Sequence, residues 1–425
     1  MGYIKNYSDL AINDKREVVL DLIEAAFASI QPENELQKNF RVKENILKIQ
    51  NKTYNLNDYE KTYILGFGKG SAGISKIMEQ TLGIYLTGGY VIDTNEETFE
   101  KLELTIGTHP LPSQTNIDFT EKVIENFGNL SEKTLVLVVI CGGGSALFES
   151  PFNITLEKLT EVNKALLHSG ANIIEMNTIR KHLSKVKGGG LAQILSPAKV
   201  VSLIFSDVPG NEFSFIASGP TVFDKTTILE ALDIYNKYRL ENLNLKEEDF
   251  TETPKEEELF SKIDNVLMLS NLTALNAMLK KAEELKIKAE IYSDKFQSDA
   301  ELAGKALIEK TKPHSILLTG GETTIKVSNP DGKGGRNQVV VLSSLYSLDK
   351  NTVIASFDSD GWDNTPNAGA IGDSETLEKA KKLGINPEEF LKDDNSFSFF
   401  RNVGDAIITD RLPSNVSDLV IIYNK

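Results

Sequence analysis

Four glycine-rich segments, each placed after a short apolar run, carry the residues whose types and spacing could do chemistry. In open α/β sheets ligands bind beyond the carboxyl ends of strands, where loops present backbone N–H groups and helix N-termini. The first segment is Leu65-Gly66-Phe67-Gly68-Lys69-Gly70-Ser71-Ala72-Gly73. Gly68, Gly70 and Gly73 satisfy G-x-G-x-x-G, and Asp93 follows roughly 20 residues on, the layout of a dinucleotide fingerprint. Lys69 gives the turn a different character. An ammonium there would face an anionic ligand and neutralise charge on a phosphoryl group in transfer. The competing reading of Lys69 is a solvated loop lysine.

The second segment is Gly142-Gly143-Gly144-Ser145, preceded by Cys141. Three successive residues without Cβ let a phosphate or carboxylate approach the backbone closely, or simply make a tight turn. Ser145 is not a hydrolase nucleophile, because the elbow G-x-S-x-G requires glycine where this chain has Leu147.

The third segment collects Arg180, Lys181, His182, Lys185 and Lys187 ahead of Gly188-Gly189-Gly190. Arg180 offers a planar fork for a carboxylate, and Lys187 a point charge. An exposed helix face would produce the same cluster. Asp207 follows an apolar run and could hold Mg²⁺ or orient a substrate hydroxyl.

The fourth segment comprises Gly320-Gly321-Glu322-Thr323, then Gly334-Gly335-Arg336-Asn337-Gln338, and Asp358-Ser359-Asp360-Gly361. Arg336 follows two glycines and opens a helical pattern, the position of a phosphate-contacting guanidinium. Asp358 and Asp360 offer two carboxylates, or cap the next turn. His109, within Thr108-His109-Pro110-Leu111-Pro112, could line a site or pack on the surface. The chain contains no G-x-x-x-x-G-K-[ST] and no protein-kinase loops.

These segments need a scaffold. Apolar runs at Tyr63-Ile64-Leu65, Gly89 to Ile92, Leu135 to Ile140 and Val200 to Phe205 alternate with helical patterns, which predicts a mostly parallel sheet with crossover helices. The region up to Leu56 reads as helix with polar breaks. The charged stretch Lys237 to Lys262 reads as a linker between halves or a solvated excursion. Beyond it the alternation resumes at Val266 to Leu269, a helix from Leu272 to Leu285, Glu290 to Tyr292, Ile316 to Leu318, Thr324 to Val327, Val353 to Ala355 and Leu419 to Tyr423. The prediction is two α/β domains, 1–245 and 262–425, each a parallel or mixed sheet flanked by helices, with the active site in the interdomain cleft.

Bulk properties narrow the partners. With 425 residues, 40% hydrophobic, 25% charged and a net charge of −15, the chain has an ordinary globular composition but not the basic footprint of a nucleic-acid or anionic-membrane binder. Cys141 is the only cysteine, which excludes an intrachain disulfide and a cysteine-based zinc site. No signal-like run opens the chain and no run of about 18 apolar residues could span a bilayer, so a cytoplasmic location is expected.

Taken together and in order, the segments from about residue 60 to 370 resemble the glycerate 2-kinase family, whose second half is the MOFRL domain. The motifs that carry the resemblance include Gly66 to Gly73, His109-Pro110-Leu111-Pro112, Gly142 to Leu147, Asn177 to Ala192, Ser206 to Gly210, Ile216 to Thr221, Gly320 to Thr323, Gly334 to Gln338, and Asp360-Gly361 with Asn367 to Ala370. The resemblance implies ATP and Mg²⁺ as cofactors and transfer of the γ-phosphoryl group to the 2-hydroxyl of glycerate. It places the catalytic lysine on Lys69 and the catalytic arginine on Arg336. It also implies that Gly68, Gly70, Gly142, Gly143, Gly144, Ser145, Arg180, Lys187, Glu322, Asn337 and Asp360 bind substrate or nucleotide phosphates, in a protein compatible with homo-oligomers.

Cys141, Ser113, Asn211 and Gly190 depart from that family's pattern, as does Asp410-Arg411-Leu412-Pro413 near the C-terminus. They leave Lys69 and Arg336 intact and put the acceptor in question. Two readings compete. One is an NAD(P)H-dependent reductase of hydroxypyruvate-like acids, motivated by the G-x-G-x-x-G spacing and Asp93. The other is a ligand-binding paralogue, or a kinase for another sugar acid.

Overall fold

In the computed structural model, which describes residues 2–425, the chain forms two compact α/β units. One contains residues 35–206 and 211–268. The other contains the residues up to Asn34, a short visit at 207–210, and residues 269–425.

The first unit begins with a three-stranded antiparallel sheet, β1 (Phe40–Lys43), β2 (Ile46–Ile49) and β3 (Lys52–Asn55), where helix with polar breaks was expected. These strands are only four residues each, too short to register as alternation beside the preceding helices. Its main sheet comprises β4 (Lys61–Phe67), β5 (Gly88–Asp93), β6 (Leu102–Ile106), β7 (Thr134–Ile140), β8 (Lys199–Phe205) and β9 (Ile263–Leu269), in the order β6-β5-β4-β7-β8-β9. The pairings from β6 through β8 are all parallel. All seven residues of the central strand β7 are buried, as expected for a strand covered on both faces. Each fully buried Val, Leu or Ile side chain there contributes roughly 1.5–3 kcal/mol. The carboxyl ends of β4, β7 and β8 lie side by side, so the glycine segments after them share one edge of the sheet.

The second unit holds a six-stranded mixed sheet built from β10 (Lys288–Phe296), β11 (Ser315–Gly321), β12 (Thr352–Asp358), β13 (Gly369–Gly372), β14 (Ala406–Ile407) and β15 (Asp418–Asn424). Its order is β10-β11-β15-β12-β13-β14, parallel between β10 and β11 and antiparallel elsewhere. The expected strand Thr324 to Val327 does not form. Thr324 makes one isolated bridge to Asp299, and Val327 is 59% exposed.

The expected division at 245 and 262 differs from the observed units in two ways. The stretch from Lys237 to Lys262 is not a linker: Leu240, Leu243 and Phe250 are buried against Val162, Leu166, Ile179, Leu183 and Tyr235 of the first unit. Three apolar anchors suffice to fold it in, although charged residues dominate its composition. Conversely, the helix Asp14–Ser29 belongs with the second sheet. The ring centroids of Phe27 and Phe357 are 5.2 Å apart, and the fully buried Arg16 bonds to Asp373, Asp405 and Thr376. Among the described residues no helix is long and apolar enough to cross a membrane.

Candidate active site

The turn after β4 is fastened to the turn after β7. Lys69 donates its backbone N–H to the carbonyl of Gly142 at 2.8 Å, and Cys141 donates to the carbonyl of Phe67 at 3.1 Å. Gly68 has φ 106°, and a Cβ there would lie 2.5 Å from the Cys141 carbonyl oxygen, so only glycine fits. Gly70 caps the helix Ser71–Leu82 through its left-handed conformation. The Lys69 side chain is exposed, and among the described residues its ammonium has no hydrogen-bond or ion-pair partner.

Asp93 does not present its carboxylate to a ligand. It is fully buried and accepts from the backbone N–H of Ala72 at 2.9 Å and of Thr94 at 2.6 Å. Burial pushes its carboxyl upward, while backbone N–H groups of Ala72, Thr94, Asn95 and Gly70 hold it down. A dinucleotide fingerprint needs this acid free for a ribose hydroxyl. Here it fixes the glycine turn to the sheet instead.

His109 reaches the same place. A Cβ built on Gly143 would stand 2.8 Å from His109 Cδ2 and 3.5 Å from Lys69 Cε, so the two side chains converge over that glycine. A buried asparagine holds this arrangement. Asn116 Nδ2 donates to the carbonyls of Thr108 and Ala146, both at 2.9 Å, and its Oδ1 accepts from the Thr108 N–H at 3.0 Å. One side chain thereby ties the histidine turn to the Gly142 to Ser145 loop. Sequence reading left His109 undecided and did not single out Asn116. An isolated asparagine in an amphipathic helix carries no signal of such a role.

Ser145 is engaged structurally, with Oγ 3.1 Å from Ser218 Oγ, which in turn lies 3.4 Å from Asn177 Oδ1. Ala217, Ser218 and Gly219 all have left-handed backbones, φ 50°, 61° and 65°. Such strain costs about 1–3 kcal/mol at each non-glycine residue, and here it sits directly beneath Gly144, whose Cβ would lie 2.9 Å from Ala217 Cβ.

The basic cluster is not the free electropositive island that its composition suggests. Lys181 pairs with Asp224 at 3.1 Å, Lys185 with Glu121 at 2.8 Å, and His182 lies 3.2 Å from Glu252. Lys187, expected to bind substrate or phosphate, is buried and bonded to Glu149, which also accepts from Ser184 Oγ at 2.6 Å. Burial pushes the Lys187 ammonium down to about 7. A buried, paired lysine at this position organises the loop, and the acid that neutralises it lies nearly forty residues earlier, out of reach of local pattern reading. Arg180 differs from its neighbours. It is half-buried on the helix Ile173–His182, its Nε donates to the neutral amide oxygen of Asn163 at 2.7 Å, and among the described residues no carboxylate pairs with it. Desolvation lowers its pKa without a compensating charge.

In the second unit Arg336 opens the helix Arg336–Ser344. Its Nε donates to Asp418 Oδ2 at 2.5 Å, Nη2 donates to Asp418 Oδ1 at 3.3 Å, and Nη1 bonds Glu322. Asp358 lies 4.0 Å away. The guanidinium is therefore held among carboxylates rather than standing free for an anion. The helix N-terminus is likewise occupied, because Asp363 accepts from the N–H of Asn337 at 3.1 Å and of Gln338 at 2.9 Å. Asn337, an expected phosphate ligand, is buried and bridges Asp418 at 2.8 Å and Ser356 at 2.5 Å. Asp360 Oδ1 caps Trp362 N–H at 2.8 Å, and its carbonyl accepts from Leu412 at 2.8 Å, so the altered Asp410 to Pro413 loop packs on this turn. Arg411 lies 4.5 Å above the Trp362 ring.

These carboxylates outnumber the one cation. Burial, with the neighbouring acids, pushes Asp358 well up, and burial pushes Asp418 to about 7 against the pull of Arg336. Asp418 was missed from the sequence because it is merely the first residue of an apolar strand. Among the described residues no group of three or more His, Cys, Asp or Glu is arranged to hold a metal. Asp207 follows β8 as expected and is half-buried.

Comparisons with known proteins agree with this two-part arrangement. Residues 18–248 match a family model described as a domain of unknown function, DUF4147, and residues 315–418 match the MOFRL family. A glycerate 2-kinase of Pyrococcus horikoshii is 34% identical, the match covering 96% of this chain and 97% of that protein. A protein of Agrobacterium vitis named as a candidate hydroxypyruvate reductase is 34% identical over 84% of this chain and 85% of its own length. The crystal structure of a glycerate kinase from Thermotoga maritima superposes with a TM-score of 0.85 at 30% identity, covering 96% of this chain and 99% of that one. With near-complete coverage, both family models in order and the same fold, the chain belongs to the glycerate 2-kinase family of enzymes.

Proposed function

We propose that this protein transfers the γ-phosphoryl group of ATP to the 2-hydroxyl of glycerate, or of a closely related hydroxy acid, giving 2-phosphoglycerate in the cytoplasm. The observation that carries the proposal is Lys69: an unpartnered ammonium held at the rim of two fastened glycine turns. Phosphoryl transfer asks little covalent chemistry of a protein. It needs alignment and cations where charge spreads over the equatorial oxygens. Lys69 supplies such a cation, fastened through its backbone N–H to the glycine turn that begins at Gly142. Arg180, with only an amide for company, suits the acceptor's carboxylate.

Arg336 is the second cation of the proposal, oriented by Asp418 and Glu322. Mg²⁺ that accompanies ATP needs only one or two protein carboxylates, with phosphate and water oxygens completing its shell. Asp358 and Asp418 fit that requirement, as two buried carboxylates beside one guanidinium. Asp207 is a further candidate. When bound, the ion supplies charge neutralisation on the phosphates.

The reductase reading has no residue for its cofactor's ribose, because Asp93 is buried beneath backbone N–H groups. A panel of small hydroxy acids with ATP and Mg²⁺, followed by ADP release, tests the proposal, and phosphorus NMR of the product distinguishes the 2- from the 3-phosphate. Absence of acceptor-dependent ADP across the panel would overturn it.

A further inference from the structure

We propose that His109 is the catalytic base of the reaction, accepting the proton of the acceptor hydroxyl; this rests on the kinase reading above. The histidine sits beside the cation that would face the transferring phosphoryl group. A Cβ on Gly143 would lie 2.8 Å from His109 Cδ2, 3.1 Å from its Nε2 and 3.5 Å from Lys69 Cε, so the imidazole packs against this glycine with the Lys69 side chain beside it. An acceptor hydroxyl held beside Lys69 would come within hydrogen-bonding reach of this imidazole.

The position is built rather than accidental. Asn116, fully buried, bonds the carbonyl of Thr108, next to the histidine, and the carbonyl of Ala146, beyond the glycine loop. Gly107 N–H donates to the carbonyl of Asp93 at 2.8 Å and anchors the same turn to the end of β5.

Other bases near these loops are already committed. Asp93 is capped by backbone N–H groups, and Glu149, Glu121 and Asp224 each hold a lysine. Among the described residues His109 has no side-chain hydrogen-bond partner. Lys69 faces it from the turn after β4, Gly143 from the turn after β7, and its own turn from Thr108 to Pro112 holds no other ionisable group. Partial burial and the Lys69 charge both lower its pKa below the ordinary 6.5, which keeps the imidazole neutral at pH 7.

The step balances as follows. The acceptor O–H bond breaks and its proton moves to the imidazole nitrogen. The acceptor oxygen bonds to the γ-phosphorus, the bond from that phosphorus to the bridging oxygen breaks, and ADP departs with the electron pair. The imidazolium then releases its proton to solvent.

The test compares wild type with His109→Asn in the ADP-release assay from pH 5 to 9, with melting curves to verify folding and His109→Gln as a second variant. The expected result is a fall in kcat of roughly 10²-fold, an unchanged KM for ATP, loss of the acidic limb of kcat/KM that wild type shows below pH 6.5, and partial recovery with added imidazole. Wild-type kcat in both variants, or an acidic limb that persists in them, would overturn the assignment while leaving the kinase reading in place. If wild type itself consumes no ATP with any hydroxy acid, the kinase reading fails and the assignment falls with it.

Discussion

Arg336 and Asp418 are joined by two hydrogen bonds, Nε to Oδ2 at 2.5 Å and Nη2 to Oδ1 at 3.3 Å, at the entrance of the helix Arg336–Ser344. The pair fixes the guanidinium plane, and Glu322 and Asp358 add acids that a single cation cannot balance.

The burial of Asp418 has a stability consequence. Asp418 is pushed up to about 7, above the unfolded value of roughly 3.9, so the native state binds the extra proton between them. Its contribution is fully present below the unfolded value and is lost as pH rises through about 7. Calorimetric melting of the ligand-free protein across that window should show wild type losing stability more steeply than Asp418→Asn. Parallel curves for the two proteins would refute the raised pKa of Asp418.

Two glycines of the first segment should respond oppositely. Gly68→Ala places a Cβ at φ 106° and 2.5 Å from the Cys141 carbonyl, which should cost a few kcal/mol, roughly the scale of such backbone strain, and abolish activity. Gly73 lies inside the helix Ser71–Leu82 with nothing within 4 Å of its would-be Cβ. Gly73→Ala should therefore keep full activity and stabilise by about 0.5–1 kcal/mol. Loss of activity in Gly73→Ala would restore the close-packing role that a dinucleotide fingerprint assigns to this glycine.

Arg16 anchors the helix Asp14–Ser29. It is fully buried and bonds Asp373 Oδ1 and Asp405 Oδ1, both at 2.7 Å. Arg16→Met leaves two carboxylates buried without their cation and should destabilise the unit by about 3–5 kcal/mol. Urea unfolding measures this, and a change under about 1 kcal/mol, the worth of a surface pair, would contradict it.

The sequence made the first sheet legible because its strands are long, apolar and followed by glycine. It also pointed to Lys69 and the Gly142 to Ser145 loop, whose two turns the structure fastens together, and to Arg180, which bonds a neutral amide. It could not show that Lys187 is neutralised by Glu149, or that Asp363 fills the helix terminus behind Arg336, because those partners are distant in sequence and carry no local pattern. The region from Lys237 to Lys262 misled for a related reason. Charge dominates its composition, while a few apolar residues decide where it packs.

Arg180 offers a test of acceptor binding. Its guanidinium has a neutral amide partner, so Arg180→Met should leave the fold intact. A charge-assisted hydrogen bond is worth about 1.5–3 kcal/mol, so the KM for glycerate should rise roughly 10- to 100-fold with the KM for ATP unchanged. An unaltered KM for glycerate would remove Arg180 from the acceptor site.

The central claim rests on Lys69, whose ammonium has no partner among the described residues and whose removal should not disturb folding. The decisive measurement is the rate of glycerate-dependent ADP release from ATP and Mg²⁺ by wild type and Lys69→Ala at equal protein concentration, with both melting temperatures recorded. The account predicts turnover by wild type, a loss of at least about 10²-fold in Lys69→Ala, the scale of removing one preorganised charge-stabilising group, and the same melting temperature for both. Equal rates for the two proteins would contradict it.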